Sequence, residues 1–234
     1  MKIIVIIQAR MTSSRLPGKV LRPIGGRPML QWVMESMAAS QEADGILLAT
    51  SDDPSDDPIE AFARENCWAF FRGSLDDVAQ RYLSAAERVK ADGIVRISGD
   101  SPLLPYELVD LAIRIFRGKE YDLVTNVKTR TYPKGASVEV FSIGILRSMI
   151  LKLKSDEDRE HVTPWLYRAE GVRLHDFQHN PRIGDKRLVV DTPEDFKVMD
   201  RVLTRLDRPH TDYELDEILA IRSQVIEELG VNYE

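Results

Sequence analysis

The stretch that decides the fold is an apolar run followed at once by a basic loop. Residues 3–19 read IIVIIQARMTSSRLPGK. The five apolar residues at its start are typical of a buried parallel strand, and open α/β sheets bind ligands at the carboxyl ends of their strands. The loop that follows carries three cations, Arg10, Arg15 and Lys19, among small residues. We therefore predict a polyphosphate-binding loop, with a solvated basic loop as the alternative.

This loop matches neither of two common phosphate-binding motifs. A P-loop requires G-x-x-x-x-G-K-[ST], whereas Val20 follows Gly18 and Lys19 here. A dinucleotide fingerprint requires G-x-G-x-x-G, whereas this loop has one glycine. The loop therefore predicts a different class of phosphate site.

Composition indicates an ordinary soluble globular protein. The chain has 234 residues, is 43% hydrophobic and 30% charged, and has a formal net charge of −6. The acidic balance argues against general nucleic-acid binding. A single cysteine, Cys67, excludes an intrachain disulfide, and we expect it to be buried. Because no apolar run approaches the ~18 residues of a membrane span and no signal peptide is evident, we predict a cytoplasmic protein that does not bind membranes.

Apolar runs alternate with helical patterns through the first half of the chain. The predicted strands are residues 3–7, 46–49, 68–71, 94–97 and 121–125. The predicted helices lie near residues 28–39, 57–66, 75–90 and 106–117. This alternation predicts an α/β fold whose parallel sheet has helices on both faces.

The pattern changes in the second half. Residues 127–142 form an excursion that contains a predicted strand at 137–141, and helices near 142–153 and 157–169 and a strand at 173–178 come next. A strand at 187–190 and helices near 194–206 and 213–229 follow. We predict one domain, residues 1–234, with a helical tail over 207–234.

Two aspartates that follow predicted strands are candidate metal ligands. Asp100 comes after the turn that Gly99 permits, and Asp191 ends the predicted strand at 187–190. Mg²⁺ takes one or two carboxylates together with phosphate oxygens and waters, so these two residues predict a Mg²⁺ site. The alternative for Asp100 is a turn or cap aspartate. Thr192 is expected to cap the next helix, a role that does not require Asp191.

A third polar group follows the predicted strand at 68–71. Ser74 is expected to cap a helix, and a capped helix explains most of this segment. Ser74 and Arg81 could also approach the base or ribose of a nucleotide.

A fourth group lies in the excursion and includes Lys134 and Glu139. Beyond them, Arg159 and His161 could hold an anionic acceptor. A solvated charged helix is the rival interpretation of the segment that contains these two residues. The four histidines show no metal-ligand spacing.

Six ordered blocks resemble the cytidylyltransferases that make CMP-activated sugar acids, such as CMP-KDO and CMP-sialic acid synthetases. The likeness is closest to the spore coat polysaccharide biosynthesis protein F group and covers about residues 1–206. The blocks lie within residues 8–19, 72–82, 99–103, 133–141, 159–164 and 190–195. Ser101 stands where that group usually has cysteine, and Ala136 and Ser137 also depart from its pattern.

The resemblance implies a fold and an activity. The fold is a three-layer, Rossmann-like, mostly parallel sheet of the nucleotide-diphospho-sugar transferase type, with a small inserted strand and helix segment. The activity is Mg²⁺-dependent transfer of CMP from CTP to a sugar acid, for surface or spore-coat polysaccharide synthesis. A homodimer formed through residues 127–180 is also implied. The alternatives are another NTP, a sugar-phosphate acceptor, or a non-catalytic nucleotide-sugar binding protein.

The resemblance also implies roles for individual residues. The catalytic residues are Arg10, Arg15, Lys19 and Asp100. The nucleotide-binding residues are Gln8, Ala9, Arg10, Ser13, Arg15, Lys19, Ser74, Arg81 and Asp100. The metal ligands are Asp100 and Asp191, and the acceptor-binding residues are Lys134, Glu139, Arg159 and His161.

Overall fold

A seven-stranded sheet forms the centre of the protein in a computed structural model, which describes residues 1–231. The strands are β1 (Ile3–Gln8), β2 (Pro23–Ile24), β3 (Arg27–Pro28), β4 (Ile46–Ser51), β5 (Phe70–Gly73), β6 (Gly93–Ser98), β7 (Leu123–Thr125), β8 (Glu139–Ser142) and β9 (Leu174–Asp176). The strand order in the sheet is β5-β4-β1-β6-β8-β7-β9, and β2 pairs with β3 separately. Only β8 runs antiparallel to its neighbours in the described sheet. The predicted mostly parallel sheet is confirmed.

Helices cover both faces of this sheet. They are α1 (Met29–Ala38), α2 (Asp57–Glu65), α3 (Val78–Arg88), α4 (Tyr106–Arg117), α5 (Ile143–Ile150), α6 (Asp156–His161), α7 (Pro164–Arg168), α8 (Pro193–Leu203) and α9 (Leu215–Leu229). Side chains alternate along β1, so Ile3, Val5 and Ile7 pack with α1, α2 and α4 on one face. Ile4 and Ile6 pack with α3 and α5 on the other. The three-layer α/β prediction is confirmed.

A third apolar cluster joins the C-terminal helices to the start of the chain. Ile218, Leu219 and Val225 of α9 are buried there with residues of α1 and α8. The predicted tail over 207–234 therefore contains a packed helix, while its last three residues, 232–234, lie outside the described part. None of the helices in the described part is long and apolar enough to cross a membrane.

Three local predictions were wrong. Residues 187–190 form no strand of the sheet, although Leu188 and Val190 are buried; Arg187 makes one isolated bridge with Lys134. The helix predicted over 157–169 is two short helices, because Val162 adopts a positive φ of 67° and Pro164 cannot continue the hydrogen bonding of α6. Cys67 is exposed rather than buried, in the turn after α2.

Candidate functional site

The basic loop and the turn after β6 meet at one edge of the sheet. Strands β1 and β6 are parallel neighbours, so their carboxyl ends lie side by side. The Gly99 N–H donates to the carbonyl of Gln8 at 2.8 Å. A Cβ at position 99 would lie 2.9 Å from that same oxygen, so glycine permits the close approach. This contact places Asp100 beside the basic loop, as the sequence predicts.

Lys19 is the centre of the site. Its Nζ lies 2.8 Å from Asp100 Oδ2, 3.0 Å from Asp191 Oδ1 and 2.7 Å from the carbonyl oxygen of Val190. An ammonium group has three N–H donors, and these acceptors use all of them. Lys19 is only 6% exposed. It therefore holds two carboxylates together at the floor of the site.

Backbone contacts of the segment before α8 fix the position of Asp191. The Val190 N–H donates to the carbonyl of Asp100 at 2.9 Å, and the Val189 N–H donates to the carbonyl of Lys134 at 3.1 Å. Thr192 caps α8 in a reciprocal capping box with Asp195, which confirms the predicted cap. Asp191 is therefore held between a strand-like segment and a helix N-terminus.

A first cleft of about 210 Å³ opens above this floor. Eight of the predicted site residues line it: Gln8, Ala9, Arg10, Ser13, Arg15, Lys19, Asp100 and Asp191. Arg15 Nη2 lies 3.2 Å from Asp191 Oδ2, and Arg10 Nη2 lies 2.9 Å from Glu160 Oε1 of α6. The first cleft thus brings the three predicted cations together with both predicted metal carboxylates.

Ser74 and Arg81 do not line the first cleft, nor do they line a second cleft that adjoins it and is described below. Arg81 is 1% exposed and donates through Nη1 to the carbonyls of Ser74 and Leu75. Burial lowers the pKa of Arg81, and its Nε and Nη2 are buried without a partner in the described residues. The cap of α3 is Asp77, whose carboxylate accepts from the Gln80 N–H; Ser74 was wrongly predicted as that cap.

A second cleft of about 310 Å³ adjoins the first. The two clefts share three lining residues, Ser98, Asp100 and Asp191. Lys134 and Glu139, both predicted acceptor residues, line the second cleft. Its volume is at the lower end of the range for small-molecule sites. The pair of aspartates therefore stands at the boundary between two spaces.

Glu139 is a fixed negative charge in the wall of the second cleft. It is 3% exposed, its Oε2 lies 2.6 Å from Arg96 Nη1, and its Oε1 accepts from the Tyr167 hydroxyl. Burial lowers the pKa of Arg96, but the charge and hydrogen bond of Glu139, together with Tyr82 and Tyr167, outweigh this effect and leave that pKa raised. Burial and the same carboxylate raise the pKa of Tyr167. Arg96 therefore stays charged, and Tyr167 keeps its hydroxyl proton, at neutral pH.

Arg96, Arg130 and Tyr167 belong to this site but were not predicted from the sequence. Arg96 and Arg130 line the second cleft, and Tyr167 lies behind Glu139. A signal for Arg96 was present, because it is the one charged residue in the otherwise apolar pattern of β6. The partner of Tyr167 is 28 residues away and could not be inferred from local spacing.

The structure places Arg159 and His161 outside both clefts. Arg159 Nη1 lies 2.6 Å from Asp77 Oδ2 and thereby fastens α6 to the start of α3. His161 is exposed and lines a separate depression with Asp158 and Arg168. Both residues lie in the charged helix α6, which agrees with the alternative interpretation of this segment as a solvated charged helix.

The carboxylates of the site suit a hard cation that a substrate helps to hold. The described residues contain no group of three or more His, Cys, Asp or Glu side chains able to hold a metal ion alone. Asp100 and Asp191 nevertheless place carboxylate oxygens within 3.0 Å of one buried nitrogen. Mg²⁺ binds one or two such carboxylates and takes its other ligands from phosphates and water. The oxygen donors present therefore fit Mg²⁺ in combination with a nucleotide.

Comparison with known proteins agrees with this geometry. The spore coat polysaccharide biosynthesis protein SpsF of Bacillus subtilis is 34% identical over 208 residues, which cover 83% of each chain. A 3-deoxy-manno-octulosonate cytidylyltransferase of Photobacterium profundum is 38% identical over 112 residues, 47% of this chain and 44% of that enzyme. The solved structure of a cytidylyltransferase from Leptospira borgpetersenii is 28% identical, with a TM-score of 0.89 and full coverage of both chains. The sequence profile of the cytidylyltransferase family matches residues 4–223, and the chain belongs to this family of enzymes.

Proposed function

We propose that this enzyme transfers CMP from CTP to a sugar acid and releases pyrophosphate, in the synthesis of a surface or spore-coat polysaccharide. The observation that carries the proposal is the meeting of two clefts at Asp100 and Asp191. A nucleotide in the first cleft and an acceptor in the second would present their reacting atoms to each other at this boundary. Such positioning is the main source of catalysis in phosphoryl transfer.

The first cleft takes the triphosphate. Arg10 and Arg15 supply guanidinium groups, which match phosphate oxygens in pairs. Lys19 adds a buried positive charge below them and keeps the two carboxylates in place. These charges stabilise the pyrophosphate as it leaves.

Asp100 and Asp191 would hold Mg²⁺ against the phosphates of the nucleotide. When bound, the metal supplies Lewis-acid polarisation of the phosphoryl oxygens. The carboxylates need no large movement for this role, because backbone hydrogen bonds from Val190 and the cap of α8 already fix Asp191.

The second cleft takes the sugar acid, and the anomeric hydroxyl attacks the α-phosphorus. The bond from that phosphorus to the β-phosphate oxygen breaks, pyrophosphate departs, and the hydroxyl proton is released. Glu139, fixed by Arg96 and Tyr167, accepts hydrogen bonds from sugar hydroxyls, while Lys134 offers a cation to the acceptor. Among relatives, the name of the Photobacterium profundum enzyme specifies a sugar acid of this kind.

Pyrophosphate release from each of the four NTPs, with a pool of keto-sugar acids and with sugar phosphates, tests the proposal. We expect release with CTP and a sugar acid in the presence of Mg²⁺. Asp100→Asn should abolish release or raise the Mg²⁺ concentration for half-maximal rate, whereas the exposed control Asp216→Asn should leave both unchanged. Release with a different NTP, or only with phosphates of sugars that carry no carboxylate, would contradict the proposed substrates. CTP binding without release from any acceptor would indicate a binding protein.

A further inference from the structure

An outer groove adjoins the second cleft. It is lined by Arg130, Lys134, Arg182, Gly184 and Asp185. The outer groove shares Arg130 and Lys134 with the second cleft, but it shares no residue with the first. Three spaces therefore follow one another, with the paired aspartates between the first and the second.

The outer groove carries positive charge that the protein does not neutralise. Within residues 1–231, Arg130, Lys134 and Arg182 form no ion pair, and Arg130 Nη1 lies 3.2 Å from the neutral hydroxyl of Ser137. Asp185 is the one acid in the lining. The lining therefore has an excess of positive charge, whereas the chain as a whole has a net charge of −6. Such a local excess of one sign attracts an anion.

The walls of the outer groove are fastened to each other. The Ile183 N–H donates to the carbonyl of Thr131 at 2.9 Å, and the Lys134 N–H donates to the carbonyl of Lys186 at 3.0 Å. At Gly184, a Cβ would lie 2.4 Å from the carbonyl oxygen of Arg130, so the two loops touch closely. The backbone that carries the three cations is therefore held in place before any ligand binds, which lowers the entropic cost of binding.

The anion in this groove cannot be the carboxylate that defines a sugar acid. In a 2-keto sugar acid the carboxylate is attached to the carbon that bears the reacting hydroxyl. That carbon must lie near Asp100 and Asp191, which line the first and second clefts but not the outer groove. An anion in the outer groove therefore belongs to the other end of the acceptor.

We propose that the outer groove binds a phosphate monoester at the end of the acceptor remote from its attacking hydroxyl. The inference rests on the proposed function, since it takes the second cleft as the acceptor site. Two guanidinium groups and an ammonium suit a phosphate dianion better than a single carboxylate. Arg130, Lys134 and Arg182 are then specificity-determining residues that select a doubly anionic sugar acid.

The test compares two ligands that differ only in this phosphate. Calorimetry measures the binding of 3-deoxy-manno-octulosonate and of its 8-phosphate ester, each with Mg²⁺ and a CTP analogue whose α–β bridge cannot be cleaved. We expect the phosphate ester to bind about tenfold more tightly or better, the effect of one to two charge-assisted hydrogen bonds. Arg182→Gln should remove most of this advantage. The matched control Arg201→Gln, an exposed arginine on α8, should retain it.

Each outcome separates this inference from the proposed function. Equal affinity of the two ligands, no detectable binding of the phosphate ester, or an advantage that Arg182→Gln leaves intact would overturn the inference. Pyrophosphate release from CTP with a singly anionic acceptor would then still support the proposed function. A phosphate preference that depends on Arg182, without pyrophosphate release from any acceptor, would support the anion site and contradict the reaction.

Discussion

At the scale of single residues, the site depends on a lysine that does not project freely into its cleft. A basic loop suggests cations that reach outward to phosphates. Arg10 and Arg15 are more exposed than Lys19, and each contacts one carboxylate. Lys19 instead uses its three donors on Asp100, Asp191 and the Val190 carbonyl. In the proposed reaction, its charge would therefore act on the nucleotide partly through the two carboxylates that it holds.

Replacing Lys19 should impair turnover far more than folding. Lys19→Met keeps the buried stem but leaves the two carboxylates without their shared cation. We expect kcat to fall about a hundredfold or more, equivalent to ~3 kcal/mol of transition-state stabilisation. The exposed Lys197→Met serves as the control, with circular dichroism to check the fold of both. A kcat within a few-fold of the parent enzyme would contradict the role of Lys19.

The sequence predicted Arg15, Lys19, Asp100 and Asp191, which contact one another, because each comes after an apolar run. The runs before the first three are strands of the parallel sheet, whereas the run before Asp191 lies outside it.

Arg96 and Tyr167 were missed because their common partner, Glu139, comes from a strand that enters the sheet late and antiparallel. Arg159 lines neither cleft and instead bonds Asp77, a partner 82 residues away that no local pattern indicates. Contacts between residues that are far apart in the sequence cannot be predicted from the local sequence pattern.

At the scale of elements, apolar periodicity predicted the bounds of helix α4 but not the structure of the segment before Asp191. Helix α4 matches its predicted range, residues 106–117, because its apolar spacing and the preceding proline mark both ends. Residues 187–190 are as apolar as a strand but are hydrogen-bonded to Lys134 and Asp100 outside the sheet. These tertiary contacts set the position of residues 187–190 and therefore the position of Asp191.

Gly135 permits the close crossing between these segments. Its φ is +98°, and a Cβ there would lie 2.3 Å from the Val189 nitrogen. Gly135→Ala should therefore incur the ~1–2 kcal/mol of a left-handed residue and a further ~1–3 kcal/mol of overpacking. Gly171 is the matched control, since its φ is +80° and its Cβ would meet nothing within 4 Å.

Urea unfolding of both alanine variants measures the difference. In Gly171→Ala, the unfolding free energy should fall only by the cost of a left-handed alanine. In Gly135→Ala, it should fall by that cost and by the cost of overpacking, and activity should be lost as well. Equal losses in the two variants would show that the crossing tolerates a side chain.

At the scale of the whole molecule, a buried histidine ties the C-terminal region to the first half of the chain. His210 donates through Nε2 to the carbonyl of Trp32 at 3.1 Å, and the two rings meet edge to face with centroids 5.0 Å apart. Burial lowers the pKa of His210 below its usual value of about 6.5. The folded protein therefore favours the neutral imidazole.

The lowered pKa of His210 predicts how the stability of the folded protein changes with pH. Because the folded pKa is below the unfolded one, the contribution of His210 to stability is complete above the unfolded pKa. It is lost as the pH falls through about 6.5 toward the folded pKa. Urea midpoints at several pH values from 8 to 5.5 should fall more steeply in the parent protein than in His210→Gln. The exposed His161→Gln is the control, and an unchanged slope in His210→Gln would refute the assignment.

The crossing at Gly135 also constrains how acceptor preference can diverge among relatives. The loop that carries Arg130 and Lys134 is hydrogen-bonded along its length to the segment that leads into Asp191. A mutation that reshapes one loop for a new sugar should therefore displace the other loop, and with it Asp191, which we propose as a metal ligand. We therefore expect relatives with a different substrate to carry substitutions in both loops. A chimera that takes only one of the two loops from such a relative should fold but be inactive.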